Sequence, residues 1–140
     1  MVLHTLAAFD AVPRLTQTVV VVAADDTFLS AQDASISIAP CGGSTRAASV
    51  FNGLEALLIK GAVAQDWALV HDAARCLVTP AQINALIDAC EDDEVGGLLA
   101  HKLPDTLKQE VAGRVDQTLD RSDKWLAQTP QMFRIGTLMT

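Results

Sequence analysis

The chain has 140 residues, the length of one domain with a sizeable core; half of it is hydrophobic and 19% is charged. A formal charge of −7 excludes the basic stripe of a nucleic-acid binder, but not a phosphorylated small molecule gripped by a few placed Arg and Lys. Three cysteines with no C-x-x-C pair, no apolar run near the ~20 residues of a membrane helix and no basic leader argue for a reduced, cytoplasmic protein without zinc or disulfides.

In chain order, the apolar spacing of Val2, Leu3, Leu6, Ala7 and Phe9 predicts a helix before Pro13. Residues 18–24 (TVVVVAA) predict a buried strand ended by Asp25 and Asp26, and the alternating 35–39 (SISIA) a shorter one. Pro40 to Ser44 is a loop opening a helix from about Thr45 to Lys60, with Val50, Leu54, Leu57 and Leu58 on one face. Trp67 to Val70 reads as a strand buried on both faces. Pro80 starts a helix through Cys90 with Ile83, Leu86 and Ile87 inward. Gly97 to Leu103 is another strand, and 106–109 and 114–119 flank Ala112-Gly113 as a β-hairpin. Trp125 to Phe133 reads as an irregular segment leading into a helix near Arg134. Alternating strands and helices imply βαβ units and a mostly parallel sheet in a single α/β domain over residues 1–140. Aromatic residues are scarce at 4%, so the core falls to Val, Leu, Ile and Ala.

His71-Asp72-Ala73-Ala74-Arg75 follows a predicted strand at its carboxyl end, where open α/β sheets bind ligands. Asp72 can hold a divalent cation there, the alanines admit a ligand close to the backbone, and Arg75 can grip a phosphate or carboxylate. Gly42-Gly43-Ser44-Thr45 precedes a helix whose free N–H groups favour negative charge, with Arg46 and Ser49 three apart on one face. Each segment also has a plain structural reading. Residues 42–45 can be a turn with an N-cap, 72–75 a surface ion pair and 105–108 an ordinary edge strand. Residues 119–121 and 127–131 can be polar clusters beside hydrophobic anchors. His71 is given no role, because a histidine in such a place is more often packed than catalytic. His4 and His101 have no partner at metal-ligand spacing.

The order of these segments carries more than any one of them. GGSTRAASVFNGL (42–54), VHDAAR (70–75), GGLLA (96–100), DTLK (105–108), TLDRSDKW (118–125) and AQTPQMF (127–133) together make a chain that resembles the 2-C-methyl-D-erythritol 4-phosphate cytidylyltransferase family. The resemblance implies a Rossmann-like nucleotidyltransferase sheet with a protruding β-hairpin arm over 104–121, a homodimer joined through that arm, and Mg²⁺. It implies cytidylyl transfer from CTP to methylerythritol phosphate with release of pyrophosphate. Gly43, Ser44 and Ser49 would line the cytosine pocket. Asp72 and Ala73 would meet the ribose and metal–phosphate region, with Asp72 as metal contact and Asp72 and Arg75 as catalytic residues. Arg75, Thr106, Arg121 and Thr129 would hold the methylerythritol phosphate, Thr106 and Arg121 serving the neighbouring subunit.

Ribitol phosphate or another polyol phosphate is an alternative acceptor, and a non-catalytic nucleotide-binding or dimerisation remnant a further reading. The family pattern has a glycine-rich loop with an Arg and a Lys ahead of the position of Met1 and a lysine-bearing segment beyond Thr140. It commonly has Pro where Cys76 and Lys102 stand. The 140-residue chain by itself is therefore expected to be impaired and to expose an apolar sheet edge.

Overall fold

The computed structural model describes residues 1–29 and 36–140. Helix α1 (Val2–Asp10) turns Thr5, Ala8 and Phe9 inward. Strand β1 (Thr18–Val21) is shorter than the apolar run that predicts it, and β2 (Ile36–Ala39) pairs with it in parallel. The expected start of β2 at Ser35 lies outside the described residues. Helix α2 (Arg46–Ile59) is capped by Thr45, whose side chain accepts the Ala48 N–H. After β3 (Trp67–Val70), helix α3 (Pro80–Cys90) opens with a Thr79–Gln82 capping box and Pro80 at its first turn. Then come β4 (Gly96–Lys102), β5 (Leu107–Val111), β6 (Arg114–Leu119), β7 (Trp125–Arg134) and the short α4 (Ile135–Leu138).

Three expectations need correcting. Residues 125–133 are not irregular: they form the longest described strand and the centre of the sheet β3-β7-β4. Their polar core and Pro130 hide this, since a proline cannot donate to a ladder. The strand tolerates it because Gln128, Thr129 and Pro130 sit opposite a register shift between Leu98 and Ala100, where no ladder pair forms. The α/β class stands, but the ladders are more mixed than the alternation of elements suggests. β7 runs antiparallel to both neighbours, so β3 and β4 are parallel to each other only across it. The strands are also less enclosed than expected: β1 is half-buried throughout, and in β3 only Ala68 is fully buried.

The core lies on both faces of that three-stranded sheet. Successive β3 residues point to opposite sides: Trp67 and Leu69 join Phe9, Val12, Ile83, Leu86, Ile87 and Met132 under α1 and α3. Ala68 joins Leu54 and Ile135, with Val50, Leu57 and Leu58 of α2 packed against them. The inward faces of α2 and α3 are those the spacing predicts. Among the described residues β5 and β6 pair only with each other, around a turn at Ala112 and Gly113. Among the described residues no helix is long and apolar enough to cross a membrane.

Candidate active site

β1 and β3 belong to separate sheets, and between them lies a cavity of about 680 Å³. Its apolar walls include Val19, Val21, Leu54, Leu69 and Met132, and its polar lining includes Arg46, Ser49, His71 and Asp72 together with Arg14, Gln17, Asp66 and Glu91. Two sources supply the first four of these. One is the first turn of α2; the other is the loop leaving the carboxyl end of β3.

At α2, Gly43 donates its N–H to Ser49 Oγ at 3.0 Å, and the Ser49 hydroxyl donates to the Thr45 carbonyl at 3.0 Å. The glycine loop is thereby folded back on the helix start. The Arg46 and Ala47 N–H groups belong to the first turn, whose donors have no intrahelical partner and favour an anion. Ser44 is exposed.

At β3, the Asp72 carboxylate is held from two sides, by Arg46 Nε at 2.7 Å and Arg75 Nε at 3.3 Å. Burial pulls its carboxyl up, but Arg46 and then Arg75 outweigh this and leave it below the usual carboxylate range. These side chains are one-third to one-half exposed, so the ion pairs add little stability, typically ~0.2–1 kcal/mol each. Their consequence is geometric: two guanidiniums converge on one carboxylate, leaving a local excess of positive charge on a chain that is acidic overall. Arg75 also donates through Nη1 to Gln128 Oε1 at 2.5 Å.

Three further contacts anchor the loop. Thr5, buried in α1, donates to the Ala73 carbonyl at 2.8 Å. The Asp72 N–H donates to Thr129 Oγ1 at 3.2 Å. His71 places Nδ1 3.0 Å from Thr129 Oγ1 and Nε2 3.1 Å from the Arg75 carbonyl, with its ring against Phe9 at 5.1 Å between centroids. Burial pushes the His71 imidazole below the ordinary histidine value, more strongly than its Arg75 hydrogen bond and Asp72 raise it.

The structure therefore brings Asp72, Arg75 and Thr129 into one network; Arg46 links it to the start of α2, where Gly43 and Ser49 bond to each other, and Ala73 is tied to Thr5. Thr106 and Arg121 stand apart. Both are exposed at the base of the hairpin, and Arg121 Nη1 donates to the Pro104 carbonyl. Thr129, expected at the substrate phosphate, is 6% exposed, with its hydroxyl occupied by the Asp72 N–H and His71. Four residues join that were not singled out for the site. Arg46 was signalled by its three-residue spacing from Ser49 and Gln128 by its place beside Thr129. His71 adjoins Asp72 directly, and Thr5 had no local signal.

Among the described residues no three His, Cys, Asp or Glu side chains cluster as a metal site. Asp72 alone, engaged by two guanidiniums, does not fit a protein-held Mg²⁺. One carboxylate does suffice for a cation that arrives on a triphosphate and keeps its waters.

Comparison with known proteins decides the family. The profile of 2-C-methyl-D-erythritol 4-phosphate cytidylyltransferase matches residues 1–140. The chain belongs to this family. It is 67% identical to the bifunctional enzyme IspD/IspF of Albidiferax ferrireducens over 99% of the chain and 34% of that protein. It is 50% identical to the 2-C-methyl-D-erythritol 4-phosphate cytidylyltransferase of Paraburkholderia phymatum, over 99% of the chain and 61% of that protein. Its fold superimposes on the crystal structure of a 4-diphosphocytidyl-2C-methyl-D-erythritol synthase with a TM-score of 0.89 and 39% identity, covering 99% of the chain and 68% of that structure. The chain thus spans about a third to three-fifths of the length of the curated cytidylyltransferase relatives it matches.

Proposed function

We propose that this protein transfers the cytidylyl group of CTP to 2-C-methyl-D-erythritol 4-phosphate in isoprenoid biosynthesis. In the reaction a phosphate oxygen of the acceptor attacks the α-phosphorus of CTP. The bond from that phosphorus to the bridging oxygen of the β-phosphate breaks, and pyrophosphate leaves with its electron pair. Chemistry of this kind needs positioning and neutralisation of charge more than covalent help.

The observation that carries the reading is the Arg46–Asp72–Arg75 contact, which joins the α2 N-terminus to the loop leaving β3. Gly43, Ser44 and Ser49 would receive the cytosine, and Asp72 and Ala73 the ribose and the Mg²⁺ carried on the triphosphate. Arg46 and Arg75 supply cationic donors able to bind phosphate oxygens in pairs. Thr106 and Arg121, exposed at the base of the hairpin, fit the acceptor phosphate of a neighbouring subunit in a homodimer joined through that hairpin. A cytoplasmic setting follows from substrates of this class and the unpaired cysteines.

Calorimetry with CTP and Mg²⁺ is expected to show binding that Ser49→Trp abolishes by filling the pocket beside Gly43. Pyrophosphate release should favour methylerythritol phosphate over ribitol phosphate as acceptor. No CTP binding by the unsubstituted chain overturns the reading; release with ribitol phosphate alone transfers it to the polyol-phosphate alternative.

A further inference from the structure

The sequence context gives His71 no role, yet both of its ring nitrogens have a partner. Nε2 lies 3.1 Å from the Arg75 carbonyl, an atom that can only accept. A neutral imidazole carries one proton, so that proton belongs on Nε2; a bare Nε2 would aim its lone pair at the carbonyl oxygen. Nδ1 is then an acceptor, and the atom facing it at 3.0 Å is the Thr129 hydroxyl. That hydroxyl in turn accepts the Asp72 N–H at 3.2 Å. The donors and acceptors form a single directed chain: Asp72 N–H to Thr129 Oγ1, Thr129 O–H to His71 Nδ1, and His71 Nε2–H to the Arg75 carbonyl.

We infer that His71, in its neutral Nε2–H tautomer, is a positioning residue that locks the Asp72–Arg75 loop onto β7. The two ends of this chain are the backbone groups of the residues whose side chains meet at 3.3 Å. The Phe9 ring and the half-buried setting of the imidazole restrict its rotation. Thr129 serves the same lock. Its one hydroxyl proton is spent on His71, so it has none to donate to a phosphate oxygen. The inference rests on the functional reading above for its consequence in catalysis, but the hydrogen-bond direction stands or falls independently.

Nitrogen-15 labelling of the histidines and long-range proton–nitrogen correlation at neutral pH reads the tautomer in the unsubstituted chain. His71 is expected to be predominantly Nε2–H. His101, whose Nδ1 lies 3.1 Å from the Lys102 carbonyl, is expected to lean to Nδ1–H, giving an internal contrast. Thr129→Val should reduce the His71 bias, whereas Thr129→Ser should keep it. His71→Phe, which retains a ring against Phe9 but neither hydrogen bond, should weaken CTP binding by about 3- to 10-fold. His71→Gln, whose amide reaches the Arg75 carbonyl, should recover part of that loss. A His71 that is Nδ1–H or an even mixture overturns the inference, as does a folded His71→Phe chain that binds CTP as tightly as the original. Should the original chain bind no CTP, the functional reading fails and the tautomer measurement alone decides this one.

Discussion

Gly43 shows how little space the site leaves its own backbone. A Cβ there would sit 2.5 Å from Ala48 Cβ and 3.1 Å from the Ala48 carbonyl carbon, both fixed by the first turn of α2. Gly43→Ala is therefore expected to lift the loop from the helix, break the Gly43–Ser49 hydrogen bond and weaken CTP binding roughly tenfold or more, as one lost hydrogen bond with displacement would. Calorimetry checks this, with circular dichroism confirming the fold; unchanged affinity would remove the loop from the CTP site. The two glycines before a helix and the Arg46–Ser49 spacing were readable in the sequence because they lie within one helical turn. Thr5 was not, because the carbonyl it holds belongs to a residue 68 positions away.

Among elements, the hairpin is the most self-contained. Its turn places Ala112 at φ 51° and Gly113 at φ 78°, the pair of positive values that two-residue hairpin loops of the I′ type require. Among the described residues the strands have no other pairing partner, yet Val111 and Val115 remain 54% and 65% exposed. Apolar side chains on so exposed an arm are suited to a second copy of the chain. Sedimentation velocity at high protein concentration is expected to show a dimer, and Val111→Lys with Val115→Lys to shift it toward monomer. A clean monomer in the unsubstituted chain would count against the arm as a dimer contact. The hairpin was legible from Ala112-Gly113 and its flanks. β7 was not: its polar middle masks a strand whose Met132 is only 1% exposed.

At the scale of the molecule, acid stability depends on carboxylates held below their ordinary values. The Gly96 and then the Val95 N–H groups hold the Asp93 carboxyl down where the chain enters β4, and Ser122 does the same for Asp120. A carboxyl whose folded value lies below its unfolded one contributes stability above the unfolded value, near 3.8 for Asp93, and loses it as pH falls through the lower folded value. The melting temperature should therefore fall on acidification below about pH 4. Asp93→Asn should lower it at neutral pH and flatten part of the acid limb. Melting curves across pH test this; an acid limb unchanged by Asp93→Asn would remove Asp93 from the account.

The sequence alone determined the helices, their inward faces, most strands and the family likeness. Each of these depends on a residue's own solvation and on neighbours within a few positions. Tertiary structure decided the rest: β7 as the sheet's centre, and the joining of Asp72 to Arg46, 26 residues away, and of His71 to Thr129, 58 away. Strand-edge pairing and long-range hydrogen bonds are set by which surfaces meet when both faces of the sheet are covered, and a local pattern holds no record of that meeting.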